Sequence, residues 1–149
     1  MNPGQYTIRP IGVIHSPYTS TAEAPRQGSD ERVTIEVHSD FIEGLRDLEG
    51  FSHLHIFYWL HHSKGFHLLV QPPWETGKHG LFATRSPHRP NPLGHSVVKL
   101  LSIKNNMITV EGLDAIEGTP VVDIKPYITT LDAISDARNG WATDRLKPK

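Results

Sequence analysis

Apolar and polar residues alternate over most of this chain, with the period of two that places one face of an extended strand in a core. Val33–Val37 reads V-T-I-E-V, and Leu54–Leu60 is rich in β-branched and aromatic residues. Tyr6–Ser16, Leu81–Thr84, Val97–Ile103, Met107–Leu113 and Val121–Ile124 complete the set of predicted strands. Asn105-Asn106 fits a tight hairpin turn, because asparagine tolerates positive φ. Ser39–Leu48 alone carries a helical pattern: Phe41, Ile42, Leu45 and Leu48 share a face, with Ser39 or Asp40 as N-cap. About six or seven short strands with one short helix predict a mainly β fold, a small barrel or folded-over sheet. The barrel domain is expected over residues 6–130. After Ile128 the pattern turns polar, so 131–149 reads as a peripheral C-terminal tail with Trp141 as its anchor.

Composition narrows the classes. A length of 149 residues suits one domain that folds without staples. The absence of cysteine excludes disulfides, thiolate metal sites and thiol nucleophiles, and points to the cytoplasm. No apolar run approaches the roughly 18 residues that span a bilayer, and the N-terminus lacks a leader pattern, so a soluble, unexported protein is expected. A formal charge of −1 gives no global attraction to nucleic acid, and any RNA contact must be local. Ten histidines are unusual, and most lie between His53 and His95.

The chemistry concentrates in loops. Between Gly80 and Leu101, Pro87, Pro90 and Pro92 alternate with Arg85, His88, Arg89 and Asn91. Proline fixes φ and drives the preceding residue out of the helical region, so this core is a stiff loop. Stiffness suits recognition, since little freedom remains to be lost on docking; a plain connector with solvated arginines is the alternative. Pro25-Arg26-Gln27 is either a second rigid element or an ordinary polar loop. His53 and His55 share a strand face with Phe57, Trp59 and His61, as a metal-binding pair or as hydrogen-bonded histidines. His61-His62 falls where the apolar run stops, at an expected barrel mouth. Asp114 and Glu117 occupy a turn. Asp123, Lys125 and Tyr127 alternate on the next strand, as groups for proton transfer or as an outward salt bridge.

Five stretches in this order, G-V-I-H-S-P-Y (12–18), A-P-R-Q (24–27), F-S-H-L (51–54), F-A-T-R-S-P-H-R-P-N-P-L-G-H-S (82–96) and L-D-A-I-E-G-T-P-V-V-D-I-K-P-Y (113–127), resemble the TsaA-like family. That family contains S-adenosylmethionine-dependent tRNA methyltransferases that modify N6 of threonylcarbamoyladenosine beside the anticodon. The resemblance spans roughly Ile8 to Ile128. It implies a single-sheeted β-barrel and a homodimer with the cofactor site near the subunit interface. Carried over motif by motif, S-adenosylmethionine would contact Pro25, Arg26, Gln27, His61, His62, Arg85, His95, Asp114, Ala115, Ile116 and Glu117. Arg89 and Asn91 would orient the substrate, with Asp123, Lys125 and Tyr127 at the polar end of the pocket and no metal involved. A dimer could line a tRNA groove with Arg26, Lys64, Lys78, Arg85 and Arg89. Methylation of a small molecule or another RNA, and a non-catalytic ligand- or metal-binding barrel, are the competing readings.

Overall fold

The computed structural model describes residues 3–20, 31–73 and 76–143. Eight strands occur among them: β1 (Gly12–His15), β2 (Arg32–Val37), β3 (His53–Trp59), β4 (Leu69–Val70), β5 (His79–Gly80), β6 (Leu93–Lys104), β7 (Met107–Glu111) and β8 (Pro120–Pro126). Six of these close an antiparallel barrel in the order β1-β2-β7-β6-β3-β8, while β4 and β5 form a separate hairpin. The predicted small barrel is therefore the observed fold. Closure removes the unpaired edges that an open sheet of this size would expose.

Alternation decides the core. On β3 the pattern buries Leu54, Ile56 and Tyr58 and turns His53, His55, Phe57 and Trp59 outward. Ile14, Val33, Ile35, Val37, Val98, Ile108, Val110 and Val121 complete the filled interior, each 2% exposed or less. Asn105 takes φ 56° in the two-residue turn between β6 and β7, as its side chain permits. β6 does double duty: residues 93–99 pair with β3 and 99–104 with β7, with a register shift between Leu100 and Ser102. That irregularity lets one long strand turn a barrel corner.

Two local expectations fail. Ser39–Leu45 forms a 3-10 helix, followed by another at Leu48–Gly50, and not one α-helix. Asp47 at φ 70° breaks the run, and Phe41, Leu45 and Leu48 plug the barrel end instead of packing along a helical face. Leu81–Ala83 is also 3-10 rather than strand, with the pairing taken by His79–Gly80. The α-helix among the described residues is the single turn α1 (Thr129–Asp132). Trp141 does anchor the tail: its indole donates to the Ala83 carbonyl at 2.7 Å and stacks on His79 at 4.3 Å. No described helix is long and apolar enough to cross a membrane.

Antiparallel pairing dictates where the loops emerge. The C-terminal ends of β1, β3 and β7 and the N-terminal ends of β2, β6 and β8 lie at one end of the barrel. The β1-β2, β3-β6 and β7-β8 connections therefore begin and end there.

Candidate functional site

The loop-bearing end gathers most of the sequence-predicted site. Asp114 stands there, held by a group the sequence did not single out. Tyr58, 3% exposed at the end of β3, donates its hydroxyl to Asp114 Oδ1 at 3.2 Å and lies 3.0 Å from Ser96 Oγ on β6. Gly94 makes this possible, because the Tyr58 ring lies where any Cβ at position 94 would stand. Burial raises the Asp114 pKa above the ordinary carboxylate range, while the loop backbone and the Tyr58 hydroxyl oppose the shift. The result is a half-shielded carboxylate at a barrel mouth, suited to a cation such as an ammonium. Ala115 and Ile116 beside it are buried and seat the loop.

Glu117 differs from Asp114 in what it faces. One carboxylate oxygen is 3.0 Å from His15 Nδ1 and the other accepts the Ser16 N–H at 2.8 Å, so the side chain is turned onto β1. Those two contacts hold its pKa below the ordinary value.

The Pro-rich loop folds back on itself. Arg89 donates through Nη1 to the carbonyls of Thr84 (2.9 Å) and Ser86 (3.0 Å), and its guanidinium lies 5.9 Å from the Phe82 ring centre. Arg89 is thus a brace of the loop, while Arg85 is exposed. The Asn91 carbonyl accepts the Leu93 N–H at 2.7 Å, where the loop enters β6. Ser63, just past His61-His62, reaches the Pro87 carbonyl (3.1 Å) and lies 2.9 Å from His88 Nδ1, tying both halves of the 60–92 connection together. His61 and His62 are exposed and meet edge to face at 4.1 Å. Desolvation, then the neighbouring His62, lowers the His61 pKa. Pro25, Arg26 and Gln27 lie outside the described residues.

The remaining candidates sit on the outer wall formed by β3, β6 and β8. Asp123 and Lys125 are exposed there, opposite Phe57 and His55, and Asp123 accepts the N–H of its own neighbour Ile124 at 2.9 Å. Tyr127 lies past the end of β8, with its ring 5.4 Å from His55. The structure thus separates Asp123, Lys125 and Tyr127 from Asp114. His95 belongs to this wall too: its Nε2 is 2.9 Å from His55 Nδ1, and its ring stacks on Phe57 at 4.9 Å. His55 Nε2 in turn meets Asp132 at 3.0 Å. Desolvation, then His55 and Arg85, lowers the His95 pKa, so His95 is neutral at pH 7 and within electrostatic reach of Arg85. The pair His53 and His55 does not converge on a third ligand; His53 Nδ1 instead lies 2.8 Å from Ser52 Oγ, and no group of metal-ligating side chains occurs among the described residues.

Comparison with known proteins agrees with this architecture. Residues 13–133 match the family described as the tRNA-methyltransferase O N-terminal domain. A probable S-adenosyl-L-methionine-binding protein of Archaeoglobus fulgidus is 51% identical over 90% of this chain and 37% of its own length. The tRNA (adenine(37)-N6)-methyltransferase of Escherichia coli is 39% identical over 92% of this chain and 64% of its own. The solved structure of TrmO from Pseudomonas aeruginosa superposes with a TM-score of 0.79 at 36% identity, covering 93% of this chain and 63% of that one. The chain thus spans between 37% and 64% of the lengths of these relatives. A closed barrel with its loops gathered at one end, and a family match running through the barrel from β1 to α1, have one common explanation: the chain belongs to the tRNA-methyltransferase O N-terminal domain family, the TsaA-like family its motifs resemble.

Proposed function

We propose that this protein is an S-adenosylmethionine-dependent methyltransferase acting on an adenine N6 in tRNA, with threonylcarbamoyladenosine beside the anticodon as its target. One observation carries the reading: Asp114, a half-buried carboxylate with a raised pKa, stands at the barrel end where the predicted cofactor loops emerge. The residues fit the cofactor's chemistry. Asp114 offers its carboxylate to the methionine ammonium, Arg85 a guanidinium to the methionine carboxylate, and the backbone beside Asp114 polar groups to the adenosine. The cofactor supplies an electrophilic methyl group on a sulfonium. The protein must align that methyl with the target nitrogen and accept the nitrogen's proton. The braced Pro-rich loop suits alignment, because Arg89 has already fixed the backbone that carries Arg85 and Asn91. The guanidinium of Arg85 or Arg89 also suits the threonyl carboxylate of the target.

The catalytic unit is a homodimer joined through the outer wall of β3, β6 and β8. There Leu93 (44% exposed), Val97 (44%) and Leu131 (74%) surround the stacked His55, Phe57 and His95. An apolar, aromatic patch of this kind is unusual on a monomer, and its continuity with Arg85 would bring the cofactor site to the interface. A groove lined by basic side chains of both copies would give the local attraction to RNA that a chain charge of −1 does not supply. A tRNA substrate carries with it a cytoplasmic location.

Calorimetry with S-adenosylmethionine tests the cofactor, and saturable binding is expected. Nucleoside mass spectrometry of tRNA from a deletion strain tests the substrate: the methylated threonylcarbamoyladenosine should disappear. Cofactor binding with unchanged tRNA modification would move the activity to a small molecule or another RNA.

A further inference from the structure

His15 ends β1 at the loop-bearing mouth, and neither the core nor the cofactor reading uses it. Its ring lies between two carboxylates. Nε2 is 2.7 Å from Glu36 Oε1 on β2, and Nδ1 is 3.0 Å from Glu117 Oε1 on the loop between β7 and β8. A neutral imidazole has one N–H and one lone pair, so it would satisfy one carboxylate and turn the lone pair on the other. An imidazolium donates to both, through charge-assisted bonds. The geometry therefore selects the charged ring.

The same contact seals a seam between β1 and the loop. Glu117 accepts the Ser16 N–H with its second oxygen, and its own N–H reaches the Tyr18 carbonyl at 2.7 Å. Gly118 N–H donates to the Ile14 carbonyl and Ile14 N–H to the Thr119 carbonyl, both at 2.9 Å. Asp114 lies three residues before Glu117, on the same loop. We propose that His15 is a positioning residue for this mouth, bridging Glu36 and Glu117 as an imidazolium and thereby holding the Asp114 loop against β1. The proposal rests on the cofactor placement above.

The bridge has a pH window. The bond to Glu36, then that to Glu117, raises the His15 pKa above the ordinary imidazole value, with desolvation opposing. On β2, Thr34 is the direct partner of His15, with Glu36 at one diagonal and Arg32 at the other; β8 pairs with β1 through the uncharged Pro120 and Val121, opposite Val13 and Gly12. A group with a raised folded pKa contributes stability that is complete below its unfolded value and lost as pH rises through the folded one. Glu117, with its pKa lowered, closes the window on the acid side.

Calorimetry with S-adenosylmethionine between about pH 6 and 9, spanning imidazole titration, tests the bridge on wild type, His15→Asn and Glu36→Gln. Taking the ratio of wild-type to His15→Asn affinity at each pH cancels titration of the cofactor's own amino group. The ratio should be roughly fivefold at the acid end and approach one as the ring deprotonates. Glu36→Gln removes the larger cause of the raised pKa, so it should move the alkaline transition of the wild-type curve to lower pH. Glu36→Gln carries the test if His15→Asn does not fold. A ratio that does not change with pH, an unmoved transition in Glu36→Gln, or a His15 ring titrating by NMR at the ordinary value would overturn the proposal while leaving the cofactor reading intact. Failure of wild type to bind at any pH would overturn the cofactor placement and the proposal with it.

Discussion

Asp114 shows how neighbours set the properties of a single carboxylate. Its raised pKa means that the folded state is penalised as pH rises through the ordinary carboxylate range toward the folded value, so the charge is held at a cost to stability. Asp114→Asn should therefore unfold at the same or a slightly higher temperature at pH 7, while losing S-adenosylmethionine affinity in calorimetry. Tyr58→Phe should do the opposite kind of damage. It removes the donor to Asp114 and the partner of buried Ser96, costing about 1–2 kcal/mol in denaturant unfolding and pushing the Asp114 pKa further up by NMR titration. Asp114 itself was legible because it is an acid in a motif. Tyr58 was not, since at period two it reads only as one more core residue of β3.

Among the elements, β6 and the Pro-rich loop before it carry the most consequence. Gly94→Ala should cost about 1–3 kcal/mol in chemical denaturation, because the new methyl meets the Tyr58 ring in a filled interior. Arg89→Ala should leave the barrel intact but free the Thr84 and Ser86 carbonyls. Faster amide exchange across 84–91 and a raised KM for the methyl acceptor are the expected readouts. Proline spacing made the stiffness of this loop readable, but the division between its arginines was not. Arg89 braces and Arg85 is exposed because the loop bends so that Arg89 faces the Thr84 and Ser86 carbonyls, a three-dimensional fact with no periodic signature. The 39–48 segment erred for a related reason. Its apolar spacing fits a helix, yet closure of the barrel end needs a plug of Phe41, Leu45 and Leu48, which two short 3-10 turns supply.

At the scale of the whole molecule, the prediction concerns assembly. Val97→Glu with Leu131→Glu should convert a dimer to a monomer in sedimentation or light scattering, because the two charges would enter the apolar wall beside Phe57 and His95. Methyl transfer should fall with it, and a variant that remains dimeric would move the interface elsewhere. By itself the sequence determined the strand alternation, the hairpin at Asn105 and the anchor at Trp141. These are local properties, set by side-chain period, backbone preference and residue type. Tertiary structure alone decided that antiparallel closure brings the ends of the β1-β2, β3-β6 and β7-β8 connections to one barrel end and leaves Asp123, Lys125 and Tyr127 on the outer wall. It also set His15 between Glu36 and Glu117, partners that are 21 and 102 residues away along the chain. Such meetings depend on strand order and register, and strand order is a property of the closed sheet rather than of any stretch within it.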